Sequence, residues 1–232
     1  MSDQCELISE KHDILLFIEE HSNDPLYQRK LKELQTRYQY IRKTCADGSC
    51  FYRGLGFAYL EFLHDKQDEI LRFKDLVVQS KNELTEAGFL EHEFKDYYES
   101  FLSIVDSAAS DNSNLLRVFN HKSSSDSAVQ YLRLVASAFV RNRAQFFQPF
   151  IEDKMDIKDF CAQQVEPMAT ECDHIQITAL CQALEIPLQV EYVNEMDTKI
   201  NHHIFPEGAS PSTFMLYKQA HYNILYKKQE QG

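Results

Sequence analysis

Apolar residues recur at three- and four-residue spacing through most of the first two-thirds of the chain, a period that predicts helices. It appears in DILLFIEEH (13–21) and in PLYQRKLKELQTRYQYI (25–41), where Leu26, Leu31, Leu34, Tyr38 and Ile41 are among the apolar positions. It continues over Phe51 to Leu63, with Phe51, Leu55, Tyr59, Phe62 and Leu63 toward one side. Two long helical patterns follow, GFLEHEFKDYYESFLSIVDSA (88–108) and SDSAVQYLRLVASAFVRNRAQFFQPFI (125–151), the second opening after a serine run suited to capping. A shorter helix is expected over HIQITALCQAL (174–184), ending before Pro187.

Beyond Pro187 the period changes to two. PLQVEYV sets Leu188, Val190 and Tyr192 against Gln189 and Glu191, and TFMLYKQAHYNILYK (213–227) predicts a hairpin turning around Lys218 to Ala220. A large helical body packed around a small, mostly antiparallel sheet is an α+β architecture. Six Gly and six Pro in 232 residues mark turns and no linker. Residues 1–232 are therefore expected to form a single domain, with a helical segment over about residues 1–43 packed on it or leading into it.

One stretch joins turn chemistry to a helix start. In TCADGSCFYRGLGF (44–57), Cys50 stands where a glycine-bearing loop becomes helical. A thiolate there faces unpaired backbone N–H groups and the positive end of the helix dipole. The same N–H groups suit the oxyanion of a tetrahedral intermediate. A small apolar residue buried at a helix start is the ordinary alternative. A nucleophilic cysteine also needs a base and a group that orients it. Nine histidines are available, and the hairpin selects one: period two puts His221, Asn223 and Leu225 on one face and Tyr222, Ile224 and Tyr226 on the other. The expected geometry has the Asn223 amide oxygen accepting the imidazole Nδ1–H, with Nε2 left as the base.

Other polar features carry less chemistry. His202 and His203 are consecutive and point to opposite faces of a strand, which argues against a shared metal. His174, beside Asp173, is expected to pack near the cleft. Arg141 and Arg143 are expected on a solvated helix end. The six cysteines, at 5, 45, 50, 161, 172 and 181, form no CxxC pair and are expected as thiols, Cys45 as an inert one.

A formal charge of −12 disfavours nucleic acid as a partner and suits a basic one. No apolar run is long enough to span a membrane, and the acidic N-terminus lacks the regions of a signal peptide. The cytoplasm, or the nucleus as well, is the expected location.

DGSCFYR, MATECDHIQITALCQAL, LQVEYV and HYNILY together closely resemble the otubains, within the ovarian-tumour (OTU) class of deubiquitinating cysteine proteases, from about Tyr27 through Tyr226. Within that family the resemblance is to the shorter of two paralogues, because the longer one has an aspartate at the position of Asn223. The resemblance implies a papain-like fold with Cys50 as nucleophile, His221 as general base and Asn223 as its orienting residue. Asp47 is counted among the active-site residues of the family, and it is expected to shape an oxyanion loop of Asp47, Gly48, Ser49 and Cys50. The implied activity is hydrolysis of isopeptide bonds between the ubiquitin C-terminal glycine and lysine through a thioester, with no metal or organic cofactor. Ubiquitin and polyubiquitin chains are the implied partners of an expected monomer. The alternatives are a non-catalytic module binding ubiquitin or a ubiquitin-conjugating enzyme, and another cysteine acyl-transfer enzyme.

Overall fold

Residues 6–152, 155–194 and 199–229 are described by a computed structural model of the chain. The chain enters through strand β1 (His12–Asp13), helices α1 (Ile14–Glu20) and α2 (Pro25–Leu34), and strand β2 (Tyr38–Arg42). Asp13 caps α1 by accepting the Leu15 N–H, and Asp24 caps α2, where Pro25 occupies the first turn. The helix expected to run on to Ile41 ends at Leu34, and the segment before residue 43 is only partly helical. Tyr38 and Ile41 lie in β2, where a register irregularity between Tyr38 and Tyr40 breaks the alternation. Both side chains are fully buried in the same cluster, so a three-residue spacing here imitates a helical period.

The helical body follows as α3 (Cys50–Leu63), α4 (Gln67–Glu86), α5 (Glu91–Ser110), α6 (Leu115–Asn120) and α7 (Lys122–Asn142). The serines at 123–125 sit inside the first turn of α7 and do not cap it; His121 occupies the cap position. The long pattern ending at Ile151 is interrupted at Arg143 and resumes in short turns, including α8 (Ala144–Phe147). After α9 (Ile157–Phe160) a π-helical turn, Cys161–Val165, leads to a loop and then to α10 (His174–Ala183). The remaining strands are β3 (Leu188–Tyr192), β4 (Asn201–Phe205), β5 (Thr213–Lys218) and β6 (His221–Lys227).

The six strands form one sheet in the order β1-β2-β6-β5-β3-β4. Only the β3–β5 pairing is parallel, which makes the sheet mostly antiparallel, as expected. The sheet is covered on both faces. Tyr222, Ile224, Met215 and Val190 join the main core with α3 and α7, while Leu225, Leu216 and Phe214 pack with α1 and α2. Helix α3 is buried around nearly its whole circumference and lies on β5 and β6.

Burial on both faces changes the meaning of the polar positions in β3. Glu191 is completely buried, and its carboxylate accepts from Arg37 Nη1 at 2.6 Å, the Tyr38 hydroxyl at 2.6 Å and Gln189 Nε2 at 2.8 Å. These bonds satisfy the carboxylate and tie β3 to the chain entering β2, two strands that are not neighbours in the sheet. Glu191→Ala would strand the Tyr38 hydroxyl in the core and is expected to cost about 2–3 kcal/mol. A lowered urea midpoint at constant slope would report it, and an unchanged midpoint would contradict this accounting.

Candidate active site

Cys50 is the first residue of α3 and is buried at 4% exposure. Its sulfur lies against the backbone N–H groups of Tyr222, Phe51 and Cys50 itself. Those contacts bring the helix start to the beginning of β6, where His221 stands next to Tyr222. The edge of the Phe51 ring packs on Tyr222, with centroids 5.1 Å apart, and holds that junction from the core side.

His221 and Asn223 share a strand face and touch, but through the other nitrogen from the one expected. His221 Nε2 lies 3.2 Å from Asn223 Oδ1, and Nδ1 is buried without a hydrogen-bond partner. Two further contacts settle which nitrogen carries the proton. The backbone N–H of Thr44 can only donate, and it donates to Asn223 Oδ1 at 3.0 Å, which fixes the amide orientation. The Thr44 hydroxyl donates to the Tyr222 carbonyl and turns its oxygen to Nε2 at 3.4 Å. Both neighbours of Nε2 are therefore acceptors, so Nε2 bears the hydrogen and Nδ1 presents a bare lone pair. Alternation along β6 disclosed the pairing but not the ring's orientation, which depends on Thr44 from another part of the chain.

The loop before Cys50 is held internally. Asp47 Oδ1 accepts the Ser49 N–H at 2.9 Å, and the Asp47 N–H donates to the Cys45 carbonyl at 3.0 Å. Two of the four N–H groups expected to face an oxyanion are thus engaged, leaving those of Gly48 and Cys50. Gly48 has φ of +75°, and a Cβ there would stand 2.3 Å from the Ala169 carbonyl oxygen, so only glycine fits.

Two arginines that the sequence pattern did not single out lie behind this loop. Arg53 Nη2 donates to Asp47 Oδ2 at 2.7 Å and to Asp126 Oδ1 at 3.1 Å, and Nη1 bonds the Ser125 hydroxyl. Arg133, fully buried on α7, reaches Gly48 and Ser49 from the opposite side. Their one sequence signal is a charge at a position where the helix has apolar residues on both sides.

The remaining polar residues play other parts. His174 and His203 join Tyr192 and Phe205 in an aromatic cluster, and no group of metal-ligating residues able to hold an ion occurs among the described residues. Arg141 and Arg143 are not simply solvated: they pair with Glu166 at 2.5 Å and Glu83 at 3.1 Å. Cysteines 45, 50, 161, 172 and 181 are in no disulfide, and Cys5 lies outside the described residues.

A thiol on a helix start, an imidazole with one bare nitrogen and a carboxamide behind it, set between a helical body and a small sheet, are the marks of a papain-like cysteine peptidase. The family described as Peptidase C65 Otubain matches residues 1–227, and the chain belongs to it. Ubiquitin thioesterase OTUB2 of Mus musculus is 59% identical over 222 residues, covering 95% of each chain. Ubiquitin thioesterase OTUB1 of Homo sapiens is 43% identical over 228 residues, covering 97% of this chain and 84% of that protein. A solved complex of h/ceOTUB1 with ubiquitin aldehyde and UBC13~Ub has the same fold, with a TM-score of 0.90 at 24% identity over 98% of this chain and 93% of that one.

Burial sets the resting charge state. It pushes the Cys50 thiol up from its ordinary value, against the pull of the Tyr222 N–H, and pushes the His221 imidazole down, against the bond to Asn223. Both shifts favour the neutral thiol and neutral imidazole. Alkylation of Cys50 by iodoacetamide is therefore expected to accelerate steadily from about pH 6 to 9. A rate already at its plateau near neutrality would show a resting ion pair instead.

Proposed function

We propose that the chain is a deubiquitinating cysteine protease that cleaves isopeptide bonds between the ubiquitin C-terminal glycine and lysine. The observation that carries this reading is the doubly engaged Asn223 oxygen, which leaves His221 Nδ1 as the proton acceptor beside the residue whose N–H touches the Cys50 sulfur. Membership of the otubain family and the names of its relatives, ubiquitin thioesterases, supply the substrate class.

His221 Nδ1 takes the thiol proton as the Cys50 sulfur attacks the carbonyl of the last glycine. The imidazolium keeps its Nε2–H on Asn223, so the ring does not turn during the transfer. The N–H groups of Cys50 and Gly48 receive the oxyanion, each worth roughly 3 kcal/mol in comparable sites. Nδ1–H then protonates the departing lysine amine, leaving a thioester. Water, deprotonated by the same nitrogen, attacks the thioester and regenerates the thiol. Asp47 contributes through the loop that it braces, and no step requires a metal or an organic cofactor. Free thiols and acidic charge support a monomer working in the cytosol or nucleus on ubiquitin and polyubiquitin chains.

Ubiquitin carrying an electrophile at its C-terminus is expected to form a covalent adduct with the native chain and none with Cys50→Ala, which still binds ubiquitin. Binding without an adduct in the native chain would point to a non-catalytic module, and no binding to another acyl-transfer enzyme. Asn223→Ala is expected to lower kcat less than His221→Ala, since it loosens the ring without removing it. Equal losses would deny Asn223 an orienting role.

A further inference from the structure

The two arginines behind the loop act on the two ends of one peptide unit. Arg133 Nη2 donates to the Gly48 carbonyl at 3.0 Å, the Ser49 hydroxyl at 3.3 Å and the Thr170 carbonyl at 2.8 Å. Its Nη1 donates to the Val165 carbonyl at 3.1 Å, and the guanidinium lies over the Tyr52 ring, 4.4 Å from its centroid. The opposite end of the Gly48–Ser49 unit, the Ser49 N–H, is held by Asp47, which Arg53 holds in turn. Carbonyl and N–H of a trans peptide point in opposite directions, so this unit is clamped from both sides. Rotating it would strip Arg133 of a partner and leave Asp47 without the Ser49 N–H.

The clamped unit lies between the peptide units that carry the Gly48 and Cys50 N–H groups. Its orientation therefore sets theirs. The second half of the anchor is the loop after the π-helical turn, where the Ala169 N–H lies 3.3 Å from the Ser49 hydroxyl and the Ala169 backbone fills the space beside Gly48. Arg133 binds this loop and the oxyanion loop with one planar group, a geometry that an ammonium cannot copy.

We propose that Arg133 is a positioning residue for acyl transfer: it locks the Gly48–Ser49 peptide so that the Gly48 and Cys50 N–H groups are aimed at the oxyanion before substrate arrives. This rests on the cysteine-protease reading of the site. The competing role for a buried cation near Cys50 is to favour the thiolate by charge alone, and the two roles separate in Arg133→Lys, which keeps the charge and loses the planar fork.

Two rates on the same protein distinguish them. Iodoacetamide alkylation of Cys50 needs a thiolate and no oxyanion, whereas hydrolysis of a fluorogenic ubiquitin C-terminal amide needs both. In Arg133→Lys the alkylation rate and its pH profile are expected to stay within about twofold of the native protein, with kcat falling at least about tenfold and KM nearly unchanged. Affinity for ubiquitin aldehyde, whose adduct is tetrahedral, should fall by a similar factor, while affinity for unmodified ubiquitin does not. An unchanged kcat, or alkylation and kcat falling together, would overturn the proposal. Should thermal melting show that the lysine variant is unfolded, Ser49→Ala removes one anchor without disturbing a charge. It is expected to lower the ratio of hydrolysis to alkylation at least about threefold, and an unchanged ratio overturns the proposal equally. Native protein that is alkylated but never hydrolyses the ubiquitin amide would instead sink the protease reading itself.

Discussion

The start of helix α3 is packed against Tyr222, and this contact places the site. Phe51 meets the Tyr222 ring from within the core, and the Cys50 sulfur meets the Tyr222 backbone N–H. Because Tyr222 faces inward, its neighbours His221 and Asn223 face the other way, toward the side of the sheet covered by α1 and α2. A helix buried nearly all round and a strand with its two faces in different cores leave little freedom at their junction. Hydrophobic packing sets the thiol against the Tyr222 N–H, with His221 one residue earlier on the same strand.

That arrangement divides the labour between a neutral pair and a pre-set field. Low dielectric disfavours both the thiolate and the imidazolium, so charge separation costs free energy that the approach of a carbonyl must offset. The neutral Asn223 amide orients the ring without adding a full negative charge beside it. Stabilisation of the developing charge then falls to fixed dipoles, which act without reorganising where the backbone that carries them is held. The buried guanidinium groups brace the loop that carries such dipoles, Arg133 at the Gly48 carbonyl and Arg53 at the Asp47 carboxylate.

Much of this was legible in the sequence, for physical reasons that differ by element. The hairpin of β5 and β6 is two apolar runs broken by a short turn, and Cys50 sits at a change from turn residues to helical period, so both elements could be placed. Strand β2 was not legible, because its irregularity spaces Tyr38 and Ile41 as a helix would. Strand β4 could be read only locally, at His202 and His203, because an edge strand with exposed Asn201, His202 and His203 shows no buried face from which to draw its bounds. Arg53 and Arg133 were missed because a charge within a helix is ordinarily solvent-facing, and only the fold reveals that these two are interior. The tautomer of His221 belongs to the same class. It is set by Thr44, a residue that no periodicity links to β6.

The strand order has a consequence for how the protein is made. β6 lies between β2 and β5, so β1 and β2 have no sheet to join until residues 221–227 have left the ribosome. The helical body, rich in local contacts, is synthesised long before that point. A nascent chain thus carries the Cys50 thiol through most of translation before His221 and Asn223 have been made. Both cores wait on that strand, since Tyr222 and Ile224 belong to one and Leu225 to the other.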